Sequence, residues 1–214
     1  MFDKNYSQLY DLFNLDKPYQ KEVEFVYDWA GDPKSILDIG CGTGNYWGYF
    51  PKGVTILGVD RSKPMILSNT SGLAINADIT RFKFKDDVKF DCATALFDVI
   101  NYIPKHGWWK NLPIRKGGTF IFDTWSKSKV LSDGFKTTVK EVGSTFRRIT
   151  PLKSDDKSVD LLIEVGIGQK LTSEIHTLYL HGHEDIQRFC GKEFDLEEVR
   201  DTGSWQRWYR LRKK

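Results

Sequence analysis

A short apolar run that ends in an acid is followed by glycine at every second position: Ser35-Ile-Leu-Asp-Ile-Gly-Cys-Gly-Thr-Gly-Asn45. This pattern predicts a buried strand, a tight turn and a helix start, with backbone amides free to meet a ligand. Gly40, Gly42 and Gly44 permit positive φ and close ligand approach. A dinucleotide fingerprint would place glycine where Asn45 stands, and the carboxylate of Asp38 would repel a pyrophosphate. Asp38 suits a ligand with a positively charged portion, since opposite charges attract most where water is excluded. A second run, Val54-Thr-Ile-Leu-Gly-Val-Asp60, also closes on an acid. Asp60 stands about twenty residues past Gly40, the spacing of a ribose-binding acid in a βαβ unit.

These residues need parallel strands to hold them. A third run, Gly72-Leu-Ala-Ile-Asn-Ala-Asp78, ends in another acid, and a fourth, Phe90-Asp-Cys-Ala-Thr-Ala-Leu-Phe97, leads into Asp98-Val-Ile-Asn-Tyr-Ile103. Four successive strand ends are therefore expected along one edge. Upstream, residues 3–30 read as one or two helices, with apolar positions Tyr6, Leu9, Tyr10, Phe13, Val23, Phe25, Val26 and Trp29 stopped by Gly31-Asp-Pro33, and are expected to cover the cleft as a lid. A short helix, residues 45–50, is expected to end at Pro51. Beyond Trp125 the texture changes. Val159, Leu161, Ile163, Val165 and Ile167 alternate at period two, the mark of a half-buried antiparallel strand, and similar segments at 136–149 and 171–180 flank it. Residues of about 127–181 thus form an expected inserted sheet. A helix near 184–190 and strands near 192–200 and 204–212 complete the parent sheet.

The chain resembles the class I S-adenosylmethionine-dependent methyltransferases. The likeness rests on Leu37-Asp-Ile-Gly-Cys-Gly-Thr-Gly44, Gly58-Val-Asp-Arg-Ser-Lys-Pro-Met65, Asn76-Ala-Asp78, Phe90-Asp91 with Leu96-Phe-Asp-Val-Ile-Asn-Tyr102, and Lys116-Gly-Gly-Thr-Phe-Ile-Phe-Asp123, in the family's order. Within that class it looks like the small-molecule enzymes that include the nucleotide-aminosugar N-methyltransferases, through Leu9-Tyr-Asp-Leu12, Lys17-Pro-Tyr19, Phe122-Asp-Thr-Trp125 and Glu174-Ile-His176. The resemblance implies an α/β, Rossmann-like class I methyltransferase sheet with helices on both faces and an inserted antiparallel β-sheet. Residues 1–126 and 182–214 would form the core, and 127–181 an acceptor-binding or dimer-contact insert.

The resemblance also assigns the cofactor, S-adenosyl-L-methionine. Asp38 and the loop Gly40, Cys41, Gly42 and Gly44 would face its methionine end, with at least one of Tyr10 and Tyr19 at the carboxylate. Asp60 would take the ribose hydroxyls and Asp78 the adenine amino group, with Arg61, Met65 and Ile79 covering the ring. Leu96 and Phe97 would flank the sulfonium. Tyr10, Tyr102 and His176 are the candidates for acceptor positioning or proton removal. The implied reaction is methyl transfer to N or O of a small polar acceptor, such as a sugar or nucleotide-sugar. A cofactor-binding regulatory module, an RNA methyltransferase and a nicotinamide-dependent oxidoreductase are the alternatives.

Composition bounds the rest. The 214 residues fit one domain with an insert, and a net charge of +3 with 14% aromatic residues argues against a mainly electrostatic nucleic-acid binder. Arg207-Trp-Tyr-Arg-Leu-Arg-Lys-Lys214 mixes aromatic and basic residues but alternates like a final strand, and Phe97-Asp-Val-Ile stands where a nucleobase amino-methyltransferase would carry an Asp-Pro-Pro-Tyr type motif. No apolar run reaches the roughly 20 residues of a membrane span, and Met1-Phe-Asp-Lys4 lacks a signal peptide's charge pattern, so a cytoplasmic protein is expected. Cys41, Cys92 and Cys190 have no metal-ligand spacing and are expected to be reduced. His181-Gly-His183 lacks further ligands, and no metal is expected.

Overall fold

The computed structural model describes residues 4–69, 72–104, 107–203 and 205–214; residues 1–3 of the N-terminal reading lie outside them. A seven-stranded sheet carries the molecule. Its strands are β1 (Ser35–Ile39), β2 (Thr55–Asp60), β3 (Leu73–Asn76), β4 (Phe90–Ala95), β5 (Ile114–Trp125), β10 (Phe194–Asp201) and β11 (Gln206–Lys213), in the order β10-β11-β5-β4-β1-β2-β3. β1 pairs in parallel with both β2 and β4, and β11 runs antiparallel to both of its neighbours. The order reverses between β1 and β4, the switch point where a doubly wound sheet opens a crevice at its strand ends.

Both faces of the sheet are covered. On one, Leu37, Ile39, Val59, Ala93, Phe120 and Phe122 meet Ile100, Trp109 and Ile186, brought by 3-10 turns at Val99–Tyr102 and Trp108–Asn111 and by the helix α5 (His183–Cys190). On the other, Ile36, Cys92, Ile121 and Trp208 meet Val23, Val26 and Trp29 of the helix α2 (Tyr19–Ala30). Trp29 Nε1 donates to Glu198 at 2.7 Å, fastening α2 to β10. α2 is thus chiefly a layer of the sheet, with only its first residue, Tyr19, reaching the cleft. Its apolar residues fall on one helical stripe, and burial of that stripe outweighs any role over the cleft.

The N-terminal residues that line the cleft are Tyr6 and Tyr10 of α1 (Lys4–Tyr10), which the turn Leu12–Asn14 follows, and Tyr19 at the start of α2. Asp11 anchors this segment, because one carboxylate oxygen accepts both Thr43 Oγ1 and Asn45 Nδ2 at 2.7 Å.

After α3 (Lys63–Ser68) and α4 (Lys127–Asp133) come the four antiparallel strands β6 (Thr138–Val142), β7 (Thr145–Ser154), β8 (Ser158–Ile167) and β9 (Lys170–Tyr179). The expected single strand over 136–149 is two strands, folded back at Gly143 (φ +58°). Val159, Leu161, Ile163 and Val165 are buried on one face of β8, as the period-two pattern requires. Leu161 packs with Val130 and Leu178, and Ile163 with Tyr6 and Phe13, so the insert closes against the N-terminal segment. No helix among the described residues is long and apolar enough to cross a membrane, and no group of three or more metal-ligating side chains occurs among them.

Candidate active site

A cavity of about 840 Å³ opens at the carboxyl ends of β1, β2, β3 and β4 and extends to the inner face of the inserted sheet. Its first half is built on the glycine loop. Gly40 (φ +68°) lies against Val99, where an added Cβ would meet the valine methyls at 2.4 and 2.7 Å. The loop amides are largely engaged by the protein: Gly40 donates to the Val59 carbonyl (2.7 Å), Gly42 to Asp60 (2.9 Å) and Gly44 to the Cys41 carbonyl (2.9 Å). This departs from the expectation of free amides and suits a cationic rather than a phosphate group. No α-helix follows; residues 45–50 hold only a 3-10 turn at Trp47–Tyr49. Gly44 is not part of the cavity wall. It turns toward Asn69, whose side chain an added Cβ would meet at 2.8 Å.

Every other sequence-derived site residue lines the cavity. Asp38 is buried, its two oxygens accepting Trp47 Nε1 (2.7 Å) and Thr94 Oγ1 (2.9 Å). Burial lifts its carboxyl to about 6 against those two bonds. Gly58 on β2 makes room for Trp47, since a Cβ there would stand 2.5 Å from the indole and from Cys41 Sγ. Asp60 accepts the amides of Gly42 and Ser62 (2.9 and 2.7 Å), one on each oxygen, while burial raises its pKa. Asp78 accepts Thr80 N and Oγ1 on one oxygen (2.9 and 2.7 Å), leaving the other without a partner among the described residues. Met65, Arg61 and Ile79 flank these acids.

These residues fit S-adenosylmethionine. Asp60 and Asp78 stand at the ends of neighbouring strands as hydrogen-bond acceptors, the requirement of ribose hydroxyls and an adenine amino group. Trp108, which the sequence did not single out, adds a buried Nε1–H with no acceptor among the described residues, beside Ile79, Thr80 and Asn111. An unpaired buried donor at the adenine end matches a ring nitrogen.

The floor of the cavity is strained. Phe97 and Asp98 both adopt left-handed backbone (φ +66° and +64°), at a cost of about 1–3 kcal/mol each. Asp123 holds them there: its two oxygens accept the amides of Phe97 (2.7 Å) and Asp98 (3.1 Å), with Gln206 Nε2 at 3.0 Å. Burial pushes the Asp98 and Asp123 carboxyls above the usual range; the neighbouring Asp123 charge raises Asp98 further, whereas the bonds from Gln206 and the Asp98 amide pull Asp123 part of the way back. Lys17 Nζ sits 4.3 Å over the Phe97 ring and pairs with Glu22 at 2.6 Å.

The second half brings together residues far apart in the chain. Tyr102 Oη lies 2.9 Å from His176 Nδ1, and His176 Nε2 lies 3.1 Å from Glu174. Burial lowers the pKa of His176, favouring neutral imidazole. A neutral ring with a carboxylate at Nε2 carries its proton there and accepts the Tyr102 hydroxyl at Nδ1. Burial raises the Tyr102 pKa, so the phenol stays protonated. Tyr10 is enclosed between Tyr6 (ring centroids 6.0 Å) and Phe97 (6.3 Å). Tyr19 Oη accepts Asn45 Nδ2 at 3.2 Å, its pKa pushed up to about 12 by burial. His183 stacks on Tyr209. The sequence reading did not select Tyr6, Asp98 or Arg147 as site residues, though all three line the cavity.

Residues 36–113 match the family model described as a methyltransferase domain. Among curated proteins none matches the chain. Solved structures share its fold. An S-adenosylmethionine-dependent methyltransferase from Clostridium acetobutylicum is 22% identical, with a TM-score of 0.79 over 98% of each chain. Streptomyces venezuelae DesVI is 18% identical, with a TM-score of 0.81 over 100% of each. CalS10, an amino pentose methyltransferase from Micromonospora echinaspora bound to S-adenosylmethionine, is 17% identical, with a TM-score of 0.77 over 100% of this chain and 98% of its own.

Proposed function

We propose that this chain, which has the fold of the class I S-adenosylmethionine-dependent methyltransferases and a matching methyltransferase domain over residues 36–113, uses S-adenosylmethionine to methylate an amine or hydroxyl of a small polar acceptor, a sugar or nucleotide-sugar. The observation that carries this reading is the hydrogen-bonded series Tyr102, His176, Glu174 where the first half of the cavity meets the inserted sheet. Two proteins that share this chain's fold, an amino pentose methyltransferase and a sugar N-methyltransferase, lend support.

When bound, the cofactor supplies an electrophilic methyl group on a sulfonium. The chain's own residues do the rest. Leu96 and Phe97 form an apolar floor, and Tyr10 closes over Phe97 and excludes water. Tyr102 donates to His176, so its oxygen keeps acceptor capacity for an N–H or O–H of the incoming nucleophile. Neutral His176 is then the base that the Tyr102 proton reaches when the acceptor loses its own, and Glu174 offsets the charge on the ring. Holding nucleophile and methyl carbon in line supplies most of the acceleration.

Methyl transfer screened against amino sugars, hydroxylated metabolites and short RNA, with product mass as readout, tests the reading. With an amine acceptor, Tyr102→Phe and His176→Ala each keep turnover within about a hundredfold of wild type, since the neutral amine attacks through its own lone pair. With a hydroxyl acceptor, one of them falls further, up to about ten-thousandfold, and its residual rate rises with pH. Methylation of RNA alone overturns the substrate class. The reading includes a cytoplasmic setting, in keeping with three free buried cysteines, and a homodimer contact through the exposed Leu171 and Ile175 on the outer face of β9.

A further inference from the structure

The inner face of the inserted sheet contributes Arg147, Ile149, Leu161, Ile163, His176 and Leu178 to the cavity. Four are aliphatic, one is the histidine already described, and one carries a permanent charge. Arg147 has no carboxylate within salt-bridge distance among the described residues. Asp16 senses its charge but is largely exposed and bonded to Lys140, and Glu174 is bonded to His176. The contacts Arg147 does make are weak. Nη1 lies 3.4 Å from both Tyr6 Oη and Asn14 Oδ1, beyond the usual range, and the guanidinium sits 5.4 Å over the Phe13 ring. Of five donors in the guanidinium fork, those on the other two nitrogens meet no acceptor among the described residues.

A half-buried guanidinium on an apolar wall, beside Phe13, Tyr6 and Asn14 and with no carboxylate partner among the described residues, is unfavourable unless an anion completes it. The guanidinium itself is a rigid planar fork, so little entropy is lost per hydrogen bond when one arrives. A planar fork of this kind recognises carboxylate and phosphate through paired N–H···O bonds. Tyr6 links this charge to the methyl-transfer end, because its hydroxyl faces Arg147 while its ring contacts Tyr10, which contacts Phe97.

We propose that Arg147 is the anion-binding residue of the acceptor subsite, and that the acceptor is an amine or hydroxyl compound bearing a carboxylate or phosphate. The inference rests on the reading that this half of the cavity takes the methyl acceptor.

Calorimetric titration of protein saturated with S-adenosylhomocysteine separates the two. The probes are glucosamine 6-phosphate, 2-amino-2-deoxyglucuronic acid and neutral glucosamine. At least one anionic probe binds tenfold or more tightly than glucosamine, and which one does so distinguishes phosphate from carboxylate. Arg147→Gln removes that advantage, Arg147→Lys keeps part of it, and affinity for S-adenosylhomocysteine stays within threefold in both. The proposal is overturned if neither anion exceeds glucosamine, if the advantage survives in Arg147→Gln, or if Arg147→Gln loses S-adenosylhomocysteine as well, which marks the arginine as a strut. Failure of the wild-type protein to bind S-adenosylhomocysteine instead overturns the cofactor reading and is visible in the first titration.

Discussion

Around the first half of the cavity, parallel strands deliver functional groups from their ends, whereas around the second half an antiparallel sheet offers one of its faces. Two of the strand-end acids have oxygens fixed by nearby backbone amides, Ser62 and Gly42 on Asp60 and Thr80 on Asp78, while Asp38 is held by the side chains of Trp47 and Thr94. The sheet face carries aliphatic side chains with isolated polar groups, Arg147, whose contacts lie on the N-terminal segment, and His176, which meets Tyr102 of another element as well as Glu174 of its own strand. A site built on strand ends is tied to the backbone of the fold. A site built on a face is set by side chains that alternate, so its specificity can change without disturbing the cofactor end.

The largest test of this division lies at the junction. Asp123→Ala removes the acceptor of two amides that hold Phe97 and Asp98 in left-handed backbone. Leaving both unpaired costs roughly 2–6 kcal/mol, partly offset because the repulsion with Asp98 also disappears. Denaturant unfolding reads the loss, and cofactor affinity and turnover fall together because the floor belongs to both halves. A variant of wild-type stability would show that something else holds the turn.

A second test concerns the cofactor half alone. Asp38 is ordinarily ionised above about 4 when unfolded, but in the fold burial holds its proton to about 6. The folded state binds the proton more tightly, so this contribution is present in acid and is lost as pH rises from about 4 to 6. It amounts to on the order of 3 kcal/mol. Asp38→Asn, which keeps an acceptor for Trp47 or Thr94, removes that part of the slope. Urea unfolding at pH 4 and pH 7 compares the two proteins, and parallel slopes would refute the burial of an ionisable group there.

The smallest effect sharpens the boundary. Asp60→Ala weakens binding of S-adenosylhomocysteine by roughly 1.5–3 kcal/mol, as expected for a charged acceptor of hydroxyl groups. Binding of glucosamine 6-phosphate to the loaded protein stays unchanged. Calorimetry with each ligand checks both statements, and an unaltered S-adenosylhomocysteine affinity would remove Asp60 from the site.

Acid-terminated apolar runs made the first half legible. Asp38, Asp60 and Asp78 were readable because a strand's period, a following turn and the spacing between strands are local properties of the chain. The same locality misjudged Gly44, whose neighbour Asn69 belongs to a later element, and α2, whose apolar stripe did not say which surface would cover it. Asp123 reads as a strand residue, and only its approach to residues 97 and 98 makes it the anchor of the floor.

The sequence by itself determined the parallel strands, the acids at their ends and the alternating face of β8, since backbone geometry and burial write those patterns into consecutive residues. The tertiary structure alone decided that Tyr102 meets His176, that Tyr6 meets Arg147 and that the Trp108 donor finds no acceptor among the described residues. Each of those contacts depends on where a distant backbone runs, and the identity of a side chain carries no record of what will stand opposite it.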